Sequence, residues 1–253
     1  MSEDVLVVAK LNKAFGGIVV ADDIDLTLKS GRVLGLIGPN GAGKTSLFNL
    51  VCGVVKPDSG AITLAGDSLE ALPIRERARR GLARTWQNLR LFPALTVFDN
   101  LMLGPREYCG DRLADVLLRP GRVAAREREA RDRALSILER VGLQDIAGSR
   151  VQDITFGQQK LVGVARAMMN EARCLLLDEP MAGVEGQAYA LIQKAVRDLA
   201  ADGMAICVVE HNVAFIRDLC DEGVFMFAGK VLARGSVEEL IADPQLTELY
   251  FGT

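Results

Sequence analysis

The chain has 253 residues, 49% of them hydrophobic and 25% charged, with a formal net charge of −3. That is the composition of a folded globule with ample core in one large domain or two small ones, and it lacks the basic character of a nucleic-acid binder. A single histidine, His211, excludes zinc sites built on histidine pairs, and the five cysteines form no C-x-x-C pair, so they read as reduced, mostly core thiols of a cytosolic protein.

In chain order, residues 5–37 are strand-rich. Val5-Leu6-Val7-Val8 opens, Ile18-Val19-Val20 follows, and Ile24, Leu26 and Leu28 alternate with Asp25, Thr27 and Lys29 as in a half-buried antiparallel strand. Val33 to Ile37 is a short apolar run that reads as a buried strand. It leads into Gly38-Pro39-Asn40-Gly41-Ala42-Gly43-Lys44-Thr45, which fits G-x-x-x-x-G-K-[ST], and Ser46 to Val51 then reads as a helix ending near Gly53. Pro57-Asp58-Ser59-Gly60 signals a turn before the strand candidate Ala61 to Leu64. Arg75, Arg77, Arg79 and Arg80 read as a solvated helix face, and Ala83 to Trp86 lead into Gln87.

From Val97 to about Met169 helical signals dominate. Arg119-Pro120-Gly121 reads as a break. Val123 to Gly142 reads as a charged helix with Ala134, Ile137, Leu138 and Val141 on its apolar stripe. Thr155 is placed to cap a helix carrying Leu161, Val162, Val164, Ala165 and Met168. Beyond Glu171, Cys174 to Leu177 and Ala205 to Val209 read as buried strands around a helix from Gln187 to Leu199. Asn212 to Cys220 reads as helical, and Val224–Phe227 with Lys230–Leu232 as a hairpin about Ala228-Gly229. Buried strands alternating with helices indicate an α/β parallel sheet.

The glycine-rich loop between a strand and a helix fixes the ligand class as a nucleoside triphosphate with magnesium. Its backbone N–H groups and the helix N-terminus suit phosphate oxygens, Lys44 suits the β- and γ-phosphates, and the Thr45 hydroxyl suits the metal. Asp178 and Glu179 stand at the end of a buried strand, where open α/β sheets bind ligands. Successive strand residues face opposite sides, so Asp178 is expected to hold magnesium and Glu179 to polarise the attacking water. Two acids capping the turn before Pro180 are the plainer alternative.

Taken in order, these segments resemble the ATP-binding subunit of an ABC transporter over nearly the whole chain. The similarity implies an α/β P-loop ABC ATPase with a RecA-like parallel-sheet core, an N-terminal antiparallel β subdomain and a helical subdomain. The 253 residues would then be one nucleotide-binding domain, with the helical part at about 97–170 inserted in the α/β core. It implies that Gly38 to Ser46 bind nucleotide, that Phe15 stacks on adenine rather than joining the core, and that Gln87 opens the Q-loop and senses magnesium and water. It further makes Thr155, Phe156, Gly157 and Gln158 the signature that meets the ATP of a partner subunit, Asp178 and Glu179 the Walker B pair, and His211 the switch histidine. Two positions depart from the family pattern: Phe156 stands where the first signature glycine is usual, and Glu185 where the D-loop aspartate is usual.

Arg84 to Pro93, Phe156 to Lys160 and Leu249 to Gly252 are similar to segments of the subunits that power branched-chain amino acid uptake. The resemblance implies ATP and Mg²⁺ as cofactors and an ATP-sandwich homo- or heterodimer. The other partners would be two transmembrane permease subunits, a periplasmic substrate-binding protein reached indirectly, and no nucleic acid. No apolar run approaches the roughly 20 residues of a membrane span, and Met1-Ser2-Glu3-Asp4 is acidic where a secretion signal is basic. Any link to a membrane must therefore pass through a partner, and the resemblance implies a peripheral place on the cytoplasmic face of the inner membrane. ABC ATPases of urea, amide or aromatic-acid import, or of lipopolysaccharide export, are the alternatives; a guanine-specific or RecA-like P-loop protein is the more distant one.

Overall fold

The structure is a computed structural model and describes residues 3–85, 90–104 and 117–251. Strands β1 (Asp4–Phe15), β2 (Ile18–Lys29) and β3 (Val33–Ile37) lead into helix α1 (Lys44–Val51). Strands β4 (Ser59–Leu64) and β5 (Asp67–Ser68), helix α2 (Ile74–Arg79) and strand β6 (Leu82–Arg84) follow. Helices α3 (Val97–Met102), α4 (Pro120–Arg140) and α5 (Phe156–Met168) follow. The chain continues through β7 (Cys174–Asp178), α6 (Gln187–Ala201), β8 (Ala205–Val209) and α7 (Val213–Leu219). It closes with β9 (Glu222–Phe227), β10 (Lys230–Gly235), α8 (Val237–Ala242) and α9 (Pro244–Phe251).

The chain divides into two compact units, the first drawn from residues 1–87, 172–182 and 196–253 and the second from residues 88–171 and 183–195. In the first, one sheet has the order β2-β1-β4-β5 and the other the order β10-β9-β3-β8-β7-β6. All pairs of the smaller sheet are antiparallel. In the larger sheet β9, β3, β8, β7 and β6 run parallel, and β10 turns back on β9. Every residue of β3, β7 and β8 is buried, as a parallel sheet covered on both faces requires. One core joins the two sheets through Leu47, Phe48, Leu50 and Val51 of α1. A smaller core joins Ile37 and Phe225 to Ile216, Val237, Leu240 and Leu246 of the C-terminal helices.

The two separate apolar runs at 18–20 and 24–28 belong to a single strand, β2, paired along its length with β1. Arg77 departs from the solvated face expected of its cluster, being 2% exposed. Its guanidinium donates to the carbonyls of Leu50 (3.0 Å), Val51 (2.7 Å) and Leu72 (3.0 Å). The last turn of α1 runs out of i+4 donors for its carbonyl groups, and inside the core Arg77 serves that of Val51 and shares that of Leu50 with the Gly53 N–H. Burial lowers its pKa.

In the second unit, α4 starts at Pro120 rather than after a break there. Proline in the first helical turn lacks only an N–H that would have no helical acceptor, and its fixed φ suits the helix. The stripe Ala134, Ile137, Leu138 and Val141 is buried, as is that of α5. Helix α3 is capped by Thr96, whose hydroxyl accepts the Asp99 N–H at 3.0 Å. The buried Asn100 amide donates to the carbonyls of Phe92 and Thr96.

Of the described cysteines, Cys52, Cys174 and Cys207 are buried and Cys220 half-buried, all as free thiols. Burial pushes Cys52 up to about 11 and Cys220 up to about 12, which keeps both protonated and inert at neutral pH. Cys109 lies outside the described residues.

Candidate functional site

Strand order explains where the chemistry gathers. β3 lies beside β8, and β8 beside β7. The P-loop, the turn at His211 and the Asp178-Glu179 pair therefore leave the carboxyl ends of three neighbouring parallel strands, the edge at which open α/β sheets bind ligands.

The loop's shape depends on glycine at two points. Gly38 has φ +154°, and a β-carbon there would stand 2.1 Å from the Met226 carbonyl oxygen. Gly43, the N-cap of α1, has φ +102°, and its β-carbon would stand 2.6 Å from the Val20 carbonyl. The loop is also pinned by the Gly229 N–H, which donates to Ala42 O at 3.0 Å. Helix α1 has no side-chain cap bond at Gly43 and no acidic residue in its first turn. Its first N–H groups and the positive end of its dipole thus have no anionic side chain of their own, a donor set that suits phosphate. Pro39 is half-buried, Asn40, Gly41 and Thr45 are exposed, Ala42 is buried and Ser46 half-buried. Lys44 is buried, its ammonium donating to the carbonyls of Gly38 (2.5 Å) and Pro39 (2.8 Å). Burial holds its pKa below the ordinary lysine value, opposed by the charges of Glu179 and Asp178.

The two strand-end acids have separate surroundings. Asp178 is buried and its Oδ2 accepts from Arg84 Nη2 at 2.8 Å, the two side chains being 4% and 5% exposed. Arg84 also donates to Asn49 Oδ1 at 2.7 Å and lies over the Phe48 ring. Glu179 sits at φ +48° with its N–H donated to Val209 O at 2.9 Å, and its Oε1 is 3.0 Å from Nε2 of His211. A side-chain-bearing residue held in this left-handed region typically costs about 1–3 kcal/mol and is concentrated at functional sites. His211 is exposed, and its carbonyl accepts from the Tyr250 hydroxyl at 3.1 Å. Asn212, next in the chain, caps α7 through Phe215 N–H.

Arg84 is the residue of this site that the sequence reading missed. Its only local signal was its position immediately before Thr85-Trp86-Gln87, and its partner lies 94 residues away. Trp86 and Gln87 lie outside the described residues. Phe15 stands exposed at the tip of the β1–β2 hairpin with the Lys13 ammonium 5.1 Å from its ring centre, so it is not a core side chain. Thr155, Phe156, Gly157 and Gln158 belong to the second unit. Thr155 and Gln158 form a reciprocal capping box: Thr155 N–H donates to Gln158 Oε1 at 2.9 Å, and Gln158 N–H to Thr155 Oγ1 at 3.3 Å. Phe156 is exposed beside the Lys160 ammonium, and Glu185 is exposed. Among the described residues, no group of three or more His, Cys, Asp or Glu side chains is arranged to hold a metal by itself.

The family description "ABC transporter" matches residues 21–182. The chain belongs to the ABC transporter family. Among curated relatives, the high-affinity branched-chain amino acid transport ATP-binding protein LivG of Salmonella typhimurium is 34% identical over 253 residues, which is 100% of this chain and 99% of that protein. The corresponding BraF of Pseudomonas aeruginosa is 32% identical over 253 residues, with coverage of 100% and 99%. The lipopolysaccharide export system ATP-binding protein LptB of Haemophilus influenzae is 33% identical over 248 residues, 98% of this chain and 97% of that one.

Among solved structures, the ADP conformation of an ATP-binding cassette from an ABC transporter matches with TM-score 0.85 and 26% identity, covering 100% of both chains. A nucleotide-free cassette matches with TM-score 0.83 and 27% identity, covering 99% of this chain and all of that one. Within the ABC family, the antiparallel sheet, the parallel sheet and the helical unit are the parts of an α/β P-loop ATPase, as the sequence led one to expect. No helix among the described residues is long and apolar enough to cross a membrane.

Proposed function

We propose that this chain is the ATP-hydrolysing subunit of an ABC importer for branched-chain or related hydrophobic amino acids. The observation that carries the reading is end-to-end similarity to LivG and BraF, in a chain whose P-loop, Glu179 and His211 leave three adjacent strand ends. All 253 residues act as one nucleotide-binding domain, with the helical segment at about 97–170 serving contact with the permeases. The N-terminal N–H groups of α1 and the Lys44 ammonium hold the phosphates. Thr45, Asp178 and Gln87 are the residues that would hold Mg²⁺, which supplies charge neutralisation on the phosphate oxygens. Phe15 offers its exposed ring to adenine. Glu179 accepts the proton of the attacking water, and His211 orients Glu179 and the γ-phosphate.

Thr155, Phe156, Gly157 and Gln158 complete the site of a second such subunit about a two-fold axis, so each ATP needs two chains. ATP favours the closed dimer, and hydrolysis releases it. Two membrane permeases would receive that movement at the cytoplasmic face of the inner membrane, and a periplasmic binding protein would deliver the cargo.

Arginine at Thr155 tests the shared site. Thr155→Arg is expected to leave ATP binding intact and to lower hydrolysis about 10²-fold, the scale of removing one group that stabilises transition-state charge. Thr155→Ser, which keeps the capping hydroxyl, should behave as wild type; loss of ATP binding in Thr155→Arg would refute the two-chain site. Cargo is tested with the purified permease complex, where binding protein loaded with leucine, isoleucine or valine should stimulate hydrolysis. A second reading, lipopolysaccharide export, draws on the 33% identity to LptB; stimulation by lipopolysaccharide-handling partners alone would favour it.

A further inference from the structure

Glu210 is a buried acid with no part in the chemistry above. It follows the last residue of β8 and is 3% exposed. Its Oε1 accepts the Met181 N–H at 2.5 Å, and its Oε2 accepts the His211 N–H at 3.1 Å. Burial pushes its carboxyl up, opposed by these bonds and by the Asn212 N–H, with the charge of Glu179 adding to the rise. A buried carboxylate is costly by several kcal/mol unless charge-assisted bonds offset it. An apolar residue in its place would leave the Met181 and His211 N–H groups without this acceptor.

What those two N–H groups have in common is their neighbours. Met181 stands two residues beyond Glu179, and His211 is the other half of the 3.0 Å Glu179–His211 contact. The two segments already share the Glu179 N–H to Val209 O bond on the strand side. Glu210 supplies a second tie between them, through the Met181 N–H.

We propose that Glu210 is a positioning residue for ATP hydrolysis: by bridging the main chains of Met181 and His211 it fixes the separation of Glu179 and His211. The proposal rests on the ATPase reading of the site. Glu210 touches no reacting atom. Its effect falls on the rate of the chemical step and spares nucleotide affinity, because the P-loop donors that hold the phosphates make no bond to it.

The test uses the full-length protein with isotopically labelled histidine. His211 is the only histidine, so its imidazole gives one assignable NMR signal. In Glu210→Gln one acceptor becomes an amide donor facing an N–H. The expected result is a kcat about tenfold to hundredfold lower, the scale of an ångström-sized misplacement. KM for ATP and the affinity for a hydrolysis-resistant analogue should stay within about twofold, because the phosphate-holding charges and donors are unchanged. The His211 signal should be displaced in the free protein and should move differently when the analogue with magnesium is added. Glu210→Asp, which keeps the charge but is one methylene shorter, should recover part of kcat; if Glu210→Gln does not fold, Glu210→Asp carries the test with the same readouts. Wild-type kcat with an unmoved His211 signal in the folded variants overturns the proposal. A fall in melting temperature with kcat and signal unchanged also overturns it, since the role would then be structural. A wild-type protein that neither binds nor hydrolyses ATP overturns the ATPase reading itself, and this proposal with it.

Discussion

Glu179→Gln is expected to lower kcat for ATP hydrolysis about 10³-fold while ATP still binds, within the range for loss of a positioned general base. The substitution is isosteric, so it preserves the φ +48° backbone and the Glu179 N–H bond to Val209. It also keeps an oxygen 3.0 Å from His211 Nε2. What it removes is the ability to take a proton from water, and a 10³-fold loss corresponds to about 4 kcal/mol of transition-state stabilisation. Lys44 and the α1 N-terminus are untouched, so nucleotide affinity should persist. Because ATP then stays unhydrolysed, the two-chain closed state should accumulate and appear as a dimer by size-exclusion chromatography with ATP and magnesium. A variant that retains more than about a tenth of the wild-type rate would sink the base assignment, because that loss, about 1.4 kcal/mol, is too small for general-base catalysis.

The parts of this site that were legible in the sequence are those whose signal is local. The P-loop is a contiguous motif between an apolar run and a helix, and β3 and α1 stand where those flanks placed them. Strands β7 and β8 announced themselves as continuous buried runs, and Asp178 and Glu179 by their place at the end of one. Strand β6 is only three residues long and is defined by its ladder to β7, so no period within it could reveal it. The C-terminal helices were passed over even though a capping box at Ser236 and Glu239 marks the start of α8. Arg77, Arg84 and Glu210 are a different matter. Each is a charged side chain whose burial depends on an acceptor or donor far away in sequence: Leu50 for Arg77, Asp178 for Arg84, Met181 for Glu210. Composition assigns such residues to the surface by default, and only the folded chain supplies the partner that keeps them inside.

Arg84→Met should be the most destabilising single change near the site, by about 3–5 kcal/mol, since it strips the cation from a buried carboxylate. Arg84 and Asp178 are almost wholly buried and 2.8 Å apart, and Arg84 holds Asn49 of α1 as well. The pair therefore links β6, β7 and the helix that starts at the P-loop. At about 2–4 °C per kcal/mol for a chain of this size, the melting temperature should fall by roughly 10 °C. Methionine fills similar volume, so the loss reports the uncompensated charge rather than a cavity. The double variant Arg84→Met with Asp178→Asn removes both charges and should regain much of that stability, because exchanging a whole buried ion pair for neutral groups is often nearly neutral. The recovered protein should nonetheless remain inactive with magnesium and ATP, since Asp178 is also the strand-end carboxylate proposed to hold the metal. Recovery of both stability and hydrolysis in the double variant would limit Asp178 to the structural role of Arg84's partner. Recovery of stability alone would separate the two duties of one carboxylate: fixing the sheet to α1 through Arg84, and serving the phosphates at the end of β7.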